Sequence, residues 1–439
     1  MDLVSAAKQA GIVGAGGAGF PTHVKLDAKA DTVIINGAEC EPLLRVDQQL
    51  MARDSKKLLD TLNEMVGYIG ARRGVVALKE HYHSAVSSLE RLLPAYPKLS
   101  LFLLKSYYPS GDEQVIVEEV TGHIVPEGGI PLNVGVVVSN VETVLNICAA
   151  VTDGTPVIKK YLTLTGEVDE PKTVKVPLGI TVAEALKLAG RTTVTHYRVI
   201  SGGPMMGQIV SPDSYITKTT KGLIVLDKDH PLIASLTRPL ERSVRDAAIA
   251  CMQCSLCTEV CPRANLNHRI HPHKLMRLAA YESMCDEKDS PMNAYLCCGC
   301  RLCEYVCVMG IQPWKLNGKY KSVLSQNGVK NTLNMTPDSP SAFQNMKRYP
   351  VKKLIRQLGL EKYDIQAPLD VSEYKAKKVT LQLRQNAGVP SEPVVKPGDK
   401  VMRGTLIAEI PDGKLGANLH ASIEGTVTEV TDEAIVINA

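Results

Sequence analysis

The sequence predicts a multidomain α/β protein with a helical cysteine-rich domain and a separate all-β domain near its C-terminus. Three observations carry that reading. Short apolar runs alternate with amphipathic stretches over the first 150 residues. Ten of the twelve cysteines fall between residues 240 and 325. From residue 380 onward, short strand-like runs are separated by glycine turns.

In the first part, strands are expected at residues 32–35, 74–78, 99–104 and 134–138, with helices over 48–69 and 81–93. This order builds a mostly parallel sheet, whose ligands bind at loops beyond the strand C-termini. Residues 157–210 read as a compact α+β unit with strands at 161–168 and 172–176, a helix at 181–189, and a strand ending in Ser201-Gly-Gly-Pro-Met-Met-Gly207. Residues 326–350 are polar and irregular, as in a linker. In the tail, turns are expected at 388–390, 396–399, 411–413 and 423–425. The resulting domain boundaries are 1–155, 156–235, 236–325, 326–375 (linker and helix) and 376–439.

A net charge of +4 over 439 residues points to neither nucleic acid nor an anionic membrane surface. There is no run of 18 apolar residues and no basic-then-apolar leader, so the expectation is a cytoplasmic protein without a membrane span. In that setting the cysteines read as reduced metal ligands or redox groups.

Cys251-x2-Cys254-x2-Cys257-x3-Cys261-Pro262 is followed by Cys297-x2-Cys300-x2-Cys303-x3-Cys307. This spacing, occurring twice, suits two [4Fe–4S] clusters. Three close thiolates reach three irons of one cube, and the fourth points at the other cube. Cys251, Cys254, Cys257 and Cys307 then hold one cluster, and Cys297, Cys300, Cys303 and Cys261 the other. Zinc sites pair two separated elements instead. Val308 replaces the proline that often follows the fourth cysteine, a change expected to alter the local turn. Cys40 and Cys148 read as small buried residues, and Cys285 and Cys298 as non-ligands. His268, His271 and His273 read as a solvated face.

Gly14-Ala-Gly16-Gly17-Ala-Gly19-Phe20 could bring backbone N–H groups up to a phosphate, or form a tight structural turn. It lacks the Gly-Lys-Ser/Thr of a Walker loop and does not follow a strand. Three polar clusters each follow an expected strand: Asn36-Gly-Ala-Glu39-Cys-Glu41-Pro42, Tyr108-Pro-Ser-Gly111-Asp112-Glu113, and Ser139-Asn140-Val-Glu142-Thr143. A parallel sheet would gather them into one pocket.

On these motifs, residues 11–150 resemble the flavin- and NADH-binding subunit of respiratory complex I and its relative RnfC. The resemblance implies a Rossmann-like FMN/NADH-binding domain. In it, Gly14, Gly16, Gly17 and Gly19 cradle FMN phosphate and NADH, Phe20 packs on NADH, and Lys25 follows the loop. Asn36, Glu39 and Glu41 match the family's Asn-x-x-Glu-x-Glu-Pro motif. Gly111, Asp112 and Glu113 match a flavin-side loop, and Asn140 and Thr143 the ribityl and phosphate contacts. Glu41 and Glu113 stand as the catalytic acids. Complex I subunits carry arginine where this chain has Ala15, which weakens the anion contact.

Residues 161–210 resemble the family's β-grasp (SLBB) unit, and the tail resembles an all-β barrel-sandwich of the lipoyl type. The tail lacks a Met-Lys-Met hairpin, so no lipoyl or biotin attachment is expected. Because this barrel follows the α-helical, ferredoxin-like two-cluster domain, the order is similar to the PduS-type cobalamin reductases of propanediol-utilisation microcompartments. The resemblance implies electron flow from NADH through FMN and the clusters to cob(III)- or cob(II)alamin, bound to a partner enzyme or bound for an adenosyltransferase. It also implies residence in a microcompartment lumen, against its shell. No Asp-x-His-x-x-Gly motif marks tight cobalamin binding, so any corrin is a transient substrate. Two other readings remain: an electron-input subunit of a ferredoxin-linked complex, and a flavin-free iron–sulfur relay.

Overall fold

A computed structural model describes residues 2–280 and 290–439; Cys285 lies outside the described residues. The chain opens with α1 (Leu3–Gln9) and α2 (Thr22–Leu26), which bracket the glycine loop. Strands β1 (Thr32–Gly37), β2 (Arg73–Lys79), β3 (Leu99–Leu104) and β5 (Val136–Asn140) form a parallel sheet in the order β3-β2-β1-β5; β4 (Tyr107–Tyr108) lies outside it. The inner strands are almost wholly apolar, with Val33, Ile34, Ile35, Val76, Ala77 and Leu78 each at most 2% exposed. Helices cover both faces of such a sheet, so neither face needs polar residues.

Those helices are α3 (Val46–Arg53), α4 (Ser55–Ile69), α5 (His83–Leu92), α6 (Glu113–Thr121) and α7 (Val141–Asp153). The stretch expected as one helix over 48–69 is two, broken at Asp54. Helix α4 buries Leu58, Leu62, Met65, Val66 and Ile69, one face at helical spacing. It stops at Gly70, whose φ of 76° is the left-handed cap that closes many helices. β5 begins two residues later than expected, because Pro131–Val134 form a 3-10 turn ending at Gly135.

The second unit contains β6 (Lys159–Gly166), β7 (Lys172–Pro177), α8 (Val182–Lys187), β8 (Tyr197–Ser201), β9 (Gln208–Val210) and β10 (Gly222–Asp227). Thr181 and Glu184 cap α8 reciprocally. The cysteine-rich region runs through α9 (Pro231–Thr237), α10 (Leu240–Ala250), α11 (Leu256–Glu259), α12 (Pro262–Asn265), α13 (Pro272–Ala280), α14 (Leu302–Tyr305) and α15 (Pro313–Gln326). The segment expected as linker does more than connect. Its β11 (Tyr349–Pro350) pairs with β4, α16 (Val351–Gln357) follows, and β12 (Leu369–Asp370) joins the edge of the second unit's sheet beside β7.

The tail forms two sheets. One is β13-β19-β18-β15, from Lys378–Gln382 (β13), Lys400–Val401 (β15), Gly425–Val430 (β18) and Ala434–Asn438 (β19). The other is β14-β16-β17, from Glu392–Pro393 (β14), Leu406–Glu409 (β16) and Leu419–His420 (β17). Its core is continuous with that of the second unit, since Leu381, Ile407, Val427 and Ile437 share one apolar cluster with Val176 and Leu178. Among the described residues, no helix is long and apolar enough to cross a membrane.

Candidate functional site

The glycine loop is a closed turn. Gly14 N donates to Phe20 O (2.9 Å), and Thr22 N to Ile12 O (3.0 Å). Thr143, in the first turn of α7, accepts from Ala15 N at 2.9 Å. Lys160 Nζ donates to Ala15 O (2.9 Å) and pairs with Glu142, both side chains 2% exposed. Ala15 is itself 2% exposed, with its backbone N–H and carbonyl both bonded. The following turn is left open: among the described residues, nothing accepts from the N–H groups of Gly16, Gly17 or Ala18. A Cβ on Gly16 would stand 3.3 Å from Asn140 Nδ2 at the end of β5. Such a cradle of free amides suits a phosphate.

Beside the cradle, Lys25 Nζ donates to Val138 O (3.2 Å), stands 5.8 Å from the centre of the Phe20 ring, and is 4.0 Å from Glu113. Asn36 Nδ2 donates to Gly111 O (2.9 Å), tying the end of β1 to the loop before α6. The crevice thus gathers Gly14, Gly16, Gly17, Phe20, Lys25, Asn36, Gly111, Glu113, Asn140 and Thr143 at the carboxyl ends of the strands.

Gly19 sits on the other side of the loop. Its φ is 66°, and a Cβ would meet Thr219 Cγ2 at 2.7 Å and Asn386 Cα at 3.3 Å. Ala387 N donates to Gly19 O at 3.2 Å. The glycine loop is therefore wedged between the second unit and the C-terminal barrel.

Two expected site acids are engaged elsewhere. Glu39, at φ 35°, accepts from Asp47 N (2.9 Å) and Gln48 N (3.3 Å), and so caps α3. Glu41 accepts from Met205 N (2.9 Å) and Met206 N (3.0 Å) in the turn at residues 202–207. Gly203 leaves room for that carboxylate, since a Cβ there would be 2.0 Å from Glu41 Oε2. Burial pushes the Glu41 carboxyl up to about 7. Glu41 clamps two domains together, and Glu113 is the acid beside Lys25 and Phe20.

Asp112 caps α6 and also forms a two-pronged pair with Arg263, Nη2 to Oδ2 at 2.9 Å. Arg263 follows Cys261-Pro262 directly. Tyr108, 1% exposed, donates to Cys300 O at 3.0 Å, and Arg301 Nη2 donates to Gly207 O at 3.1 Å. The flavin-side loop expected from the sequence is thus docked on the second cysteine loop. Arg263, Arg301 and Lys160 do not stand out in the sequence. Only Arg263 carries a signal there, a cation next to a ligand cysteine.

The two cysteine loops share one backbone. Gln253 (φ 55°) and Ser255 (φ 62°) in the first match Gly299 (φ 70°) and Arg301 (φ 62°) in the second. Cys251, Cys254, Cys257 and Cys307 line one pocket. Cys261, Cys297, Cys300 and Cys303 lie close enough to perturb one another's ionisation. Cys307 thus stands with Cys251, Cys254 and Cys257, and Cys261 stands near Cys297, Cys300 and Cys303. Burial pushes the Cys257 and Cys261 thiols up to about 12, with neighbouring thiols adding to the effect. A set of thiolates is tenable here only around positive charge, a condition that iron satisfies. Cys261 caps α12, with Pro262 at its first position. After Cys307, where Val308 stands, the chain makes a turn closed by Gly310 N to Cys307 O at 3.0 Å.

The remaining histidines and cysteines are fixed by their placement. His268 is not solvated. It is 2% exposed, with Nε2 2.9 Å from Val125 O, because the cluster domain packs on the first domain there. His273 Nδ1 lies 2.7 Å from Thr258 Oγ1 at the rim of the first cysteine pocket. Cys40 and Cys148 are partly buried, and Cys298 sits against Cys300.

Comparison with known proteins matches four family models: the Nuo51 FMN-binding domain at residues 7–149, the SLBB domain at 161–208, a 4Fe-4S dicluster domain at 250–312, and the RnfC barrel sandwich hybrid domain at 364–439. Cobalamin reductase PduS of Citrobacter freundii is 42% identical over 432 residues, 98% of this chain and 95% of that protein. PduS of Salmonella typhimurium is also 42% identical, with the same coverage. A subunit of the Na(+)-translocating ferredoxin:NAD(+) oxidoreductase complex of Acetobacterium woodii is 36% identical over 260 residues, 58% of this chain and 56% of that one. With FMN-binding and two-cluster domains in one chain and near full-length identity to both reductases, the chain belongs to the PduS cobalamin reductase family.

Proposed function

We propose that this oxidoreductase draws electrons from NADH and delivers them to cob(III)- or cob(II)alamin, within a microcompartment. FMN takes up the two electrons of a hydride together and releases them singly, and each [4Fe–4S] cluster carries one at a time.

The chain's own residues divide the work. The open N–H groups of Gly16, Gly17 and Ala18 bind phosphate, while Thr143 and Lys160 hold their loop in shape from behind. Asn140 and Asn36 fix the flavin side of the crevice. Lys25 adds positive charge near the phosphates, Phe20 offers a ring for the nicotinamide, and Glu113 orients the bound dinucleotide from the facing loop. The Asp112–Arg263 pair and the Tyr108–Cys300 bond then fix the distance from this crevice to the set Cys261, Cys297, Cys300 and Cys303. On this reading that set would receive electrons first, and the set Cys251, Cys254, Cys257 and Cys307 would carry them onward.

The observation that carries the reading is the docking of the crevice's own loop, residues 108–113, onto a ligand cysteine loop. A flavin-free relay has no use for it. The test is anaerobic reconstitution with iron and FMN, followed by NADH with cobalamin as acceptor. About one FMN and about eight irons per chain, with NADH-dependent cobalamin reduction, are expected. Clusters without flavin would instead indicate a relay. Flavin and clusters with no cobalamin reduction would favour the ferredoxin-linked role suggested by the match to the Acetobacterium protein. The adenosyltransferase and the microcompartment lumen belong to the same proposal.

A further inference from the structure

The cysteine domain is an internal repeat with a constant offset of 46 residues, from Cys251–Cys257 to Cys297–Cys303. The matching backbone dihedrals make the two loops structural equivalents. Their surroundings differ sharply. Around the second set, Leu302 is 1% exposed, Cys300 8% and Arg263 8%. These residues are covered by a protein face made of Leu43, Tyr108, Met205 and Tyr349. At the equivalent positions around the first set, Leu256 is 41% exposed, Cys254 is exposed, and Met309 is 45% exposed. Met252 at 62% and Val308 at 66% complete an apolar rim, and all of these line the same pocket as the four cysteines.

We infer that this rim is the electron-exit face, and that it docks a protein presenting an uncharged, apolar surface that carries the acceptor. Two arguments select a protein of that chemistry. The equivalent face is already covered by folded protein, through aromatic and aliphatic side chains. The inner face also meets charge with charge, Arg263 on Asp112, whereas the outer face has Met309 and Ser255 at the positions of Arg263 and Arg301. No aspartate, glutamate, lysine or arginine lines the outer pocket, whose rim is Met252, Leu256, Val308 and Met309, so a partner's apolar side chains suit it. An exposed apolar patch of this kind marks an interaction site, and its methionines adapt to a partner's shape.

The inference deepens the proposed function and rests on it. The test uses the reconstituted full chain, unaltered and as M252E/V308E, with M252L/V308L as the conservative control. Three readouts are taken: the EPR signals of both clusters, NADH-driven reduction of free cobalamin, and NADH-driven reduction of cob(II)alamin bound to an adenosyltransferase. For M252E/V308E the EPR signals and the rate with free cobalamin stay within about twofold, while the rate with the protein-bound acceptor falls at least about tenfold, a loss of roughly 1.4 kcal/mol of docking. The leucine control keeps both rates. Equal losses with both acceptors would overturn the inference in favour of direct corrin contact. An unchanged rate with the bound acceptor would place the docking face elsewhere. If the unaltered protein reduces neither form, the cobalamin reading fails, and the rim is judged by the same tenfold criterion with ferredoxin as the protein acceptor.

Discussion

At the scale of single residues, the proposed site divides into groups assigned to cofactor contact and groups that hold the crevice in place. Glu113 and Asn140 belong to the first kind. Glu113→Ala or Asn140→Ala is expected to lower flavin occupancy or NADH affinity about tenfold, the worth of one charge-assisted hydrogen bond, with iron content unchanged. Unaltered NADH–dye reductase activity and flavin content in both variants would remove them from the site. Arg263 belongs to the second kind. Removing one partner from a buried ion pair leaves the other charge unpaired, at a cost of about 3 kcal/mol. Arg263→Ala should therefore lower the urea midpoint clearly and slow reduction of the clusters by NADH in stopped flow; an unshifted midpoint would mean that the pair contributes nothing. Much of this layer is legible in the sequence. Gly14, Gly16, Lys25, Asn36, Glu113 and Asn140 follow strands or open a loop, and strand ends in a parallel sheet converge. Glu39 and Glu41 fall outside the crevice because sequence order says they sit at a strand end but not which way a carboxylate turns. One caps a helix, and the other is captured by backbone amides more than 160 residues away.

At the scale of elements, the two cysteine loops carry the same spacing and the same backbone, and on the proposed ligation each gives its fourth cysteine to the other. Replacing Cys254 by serine is expected to remove about half of the iron and one of two EPR signals, from the exposed set. Replacing Cys300 should in addition weaken the docking of the flavin-side loop, because loss of its cluster would loosen the loop whose backbone carbonyl accepts from Tyr108. Full iron content and unchanged spectra in Cys254→Ser would refute the ligand assignment. The exchange is readable from spacing alone, since three thiolates in seven residues cannot reach a fourth iron. The difference between the two faces is not. Met252, Leu256 and Met309 look like ordinary core residues in the sequence, and only the packing shows that nothing in the described chain covers them. The single helix expected over 48–69 is two, because Asp54 leaves the helical conformation and ends α3 just before α4 begins.

At the scale of the whole molecule, Lys218 joins three domains. Its ammonium donates to Gly11 O (2.7 Å) in the first and to Asn418 O (2.6 Å) in the barrel, while its own N–H donates to Gln385 (3.0 Å). Burial, with no carboxylate at hand, pushes it down to about 7. The folded protein thus binds this proton less tightly than the unfolded chain, so the contribution is fully present above the ordinary lysine value and is lost as pH falls through about 7. The unaltered protein should gain stability between pH 7 and 10 relative to Lys218→Met, read as diverging urea midpoints. Parallel midpoints across that range would show that the lysine keeps its ordinary affinity. The wedging of Gly19 between Thr219 and Asn386 has a temporal consequence. Synthesis proceeds from the N-terminus, so the phosphate cradle near residue 16 emerges first yet gains its last supporting wall only when residues 385–387 have left the ribosome and folded back. Flavin loading is on this account a late step in maturation, completed after the cysteine loops are already in place.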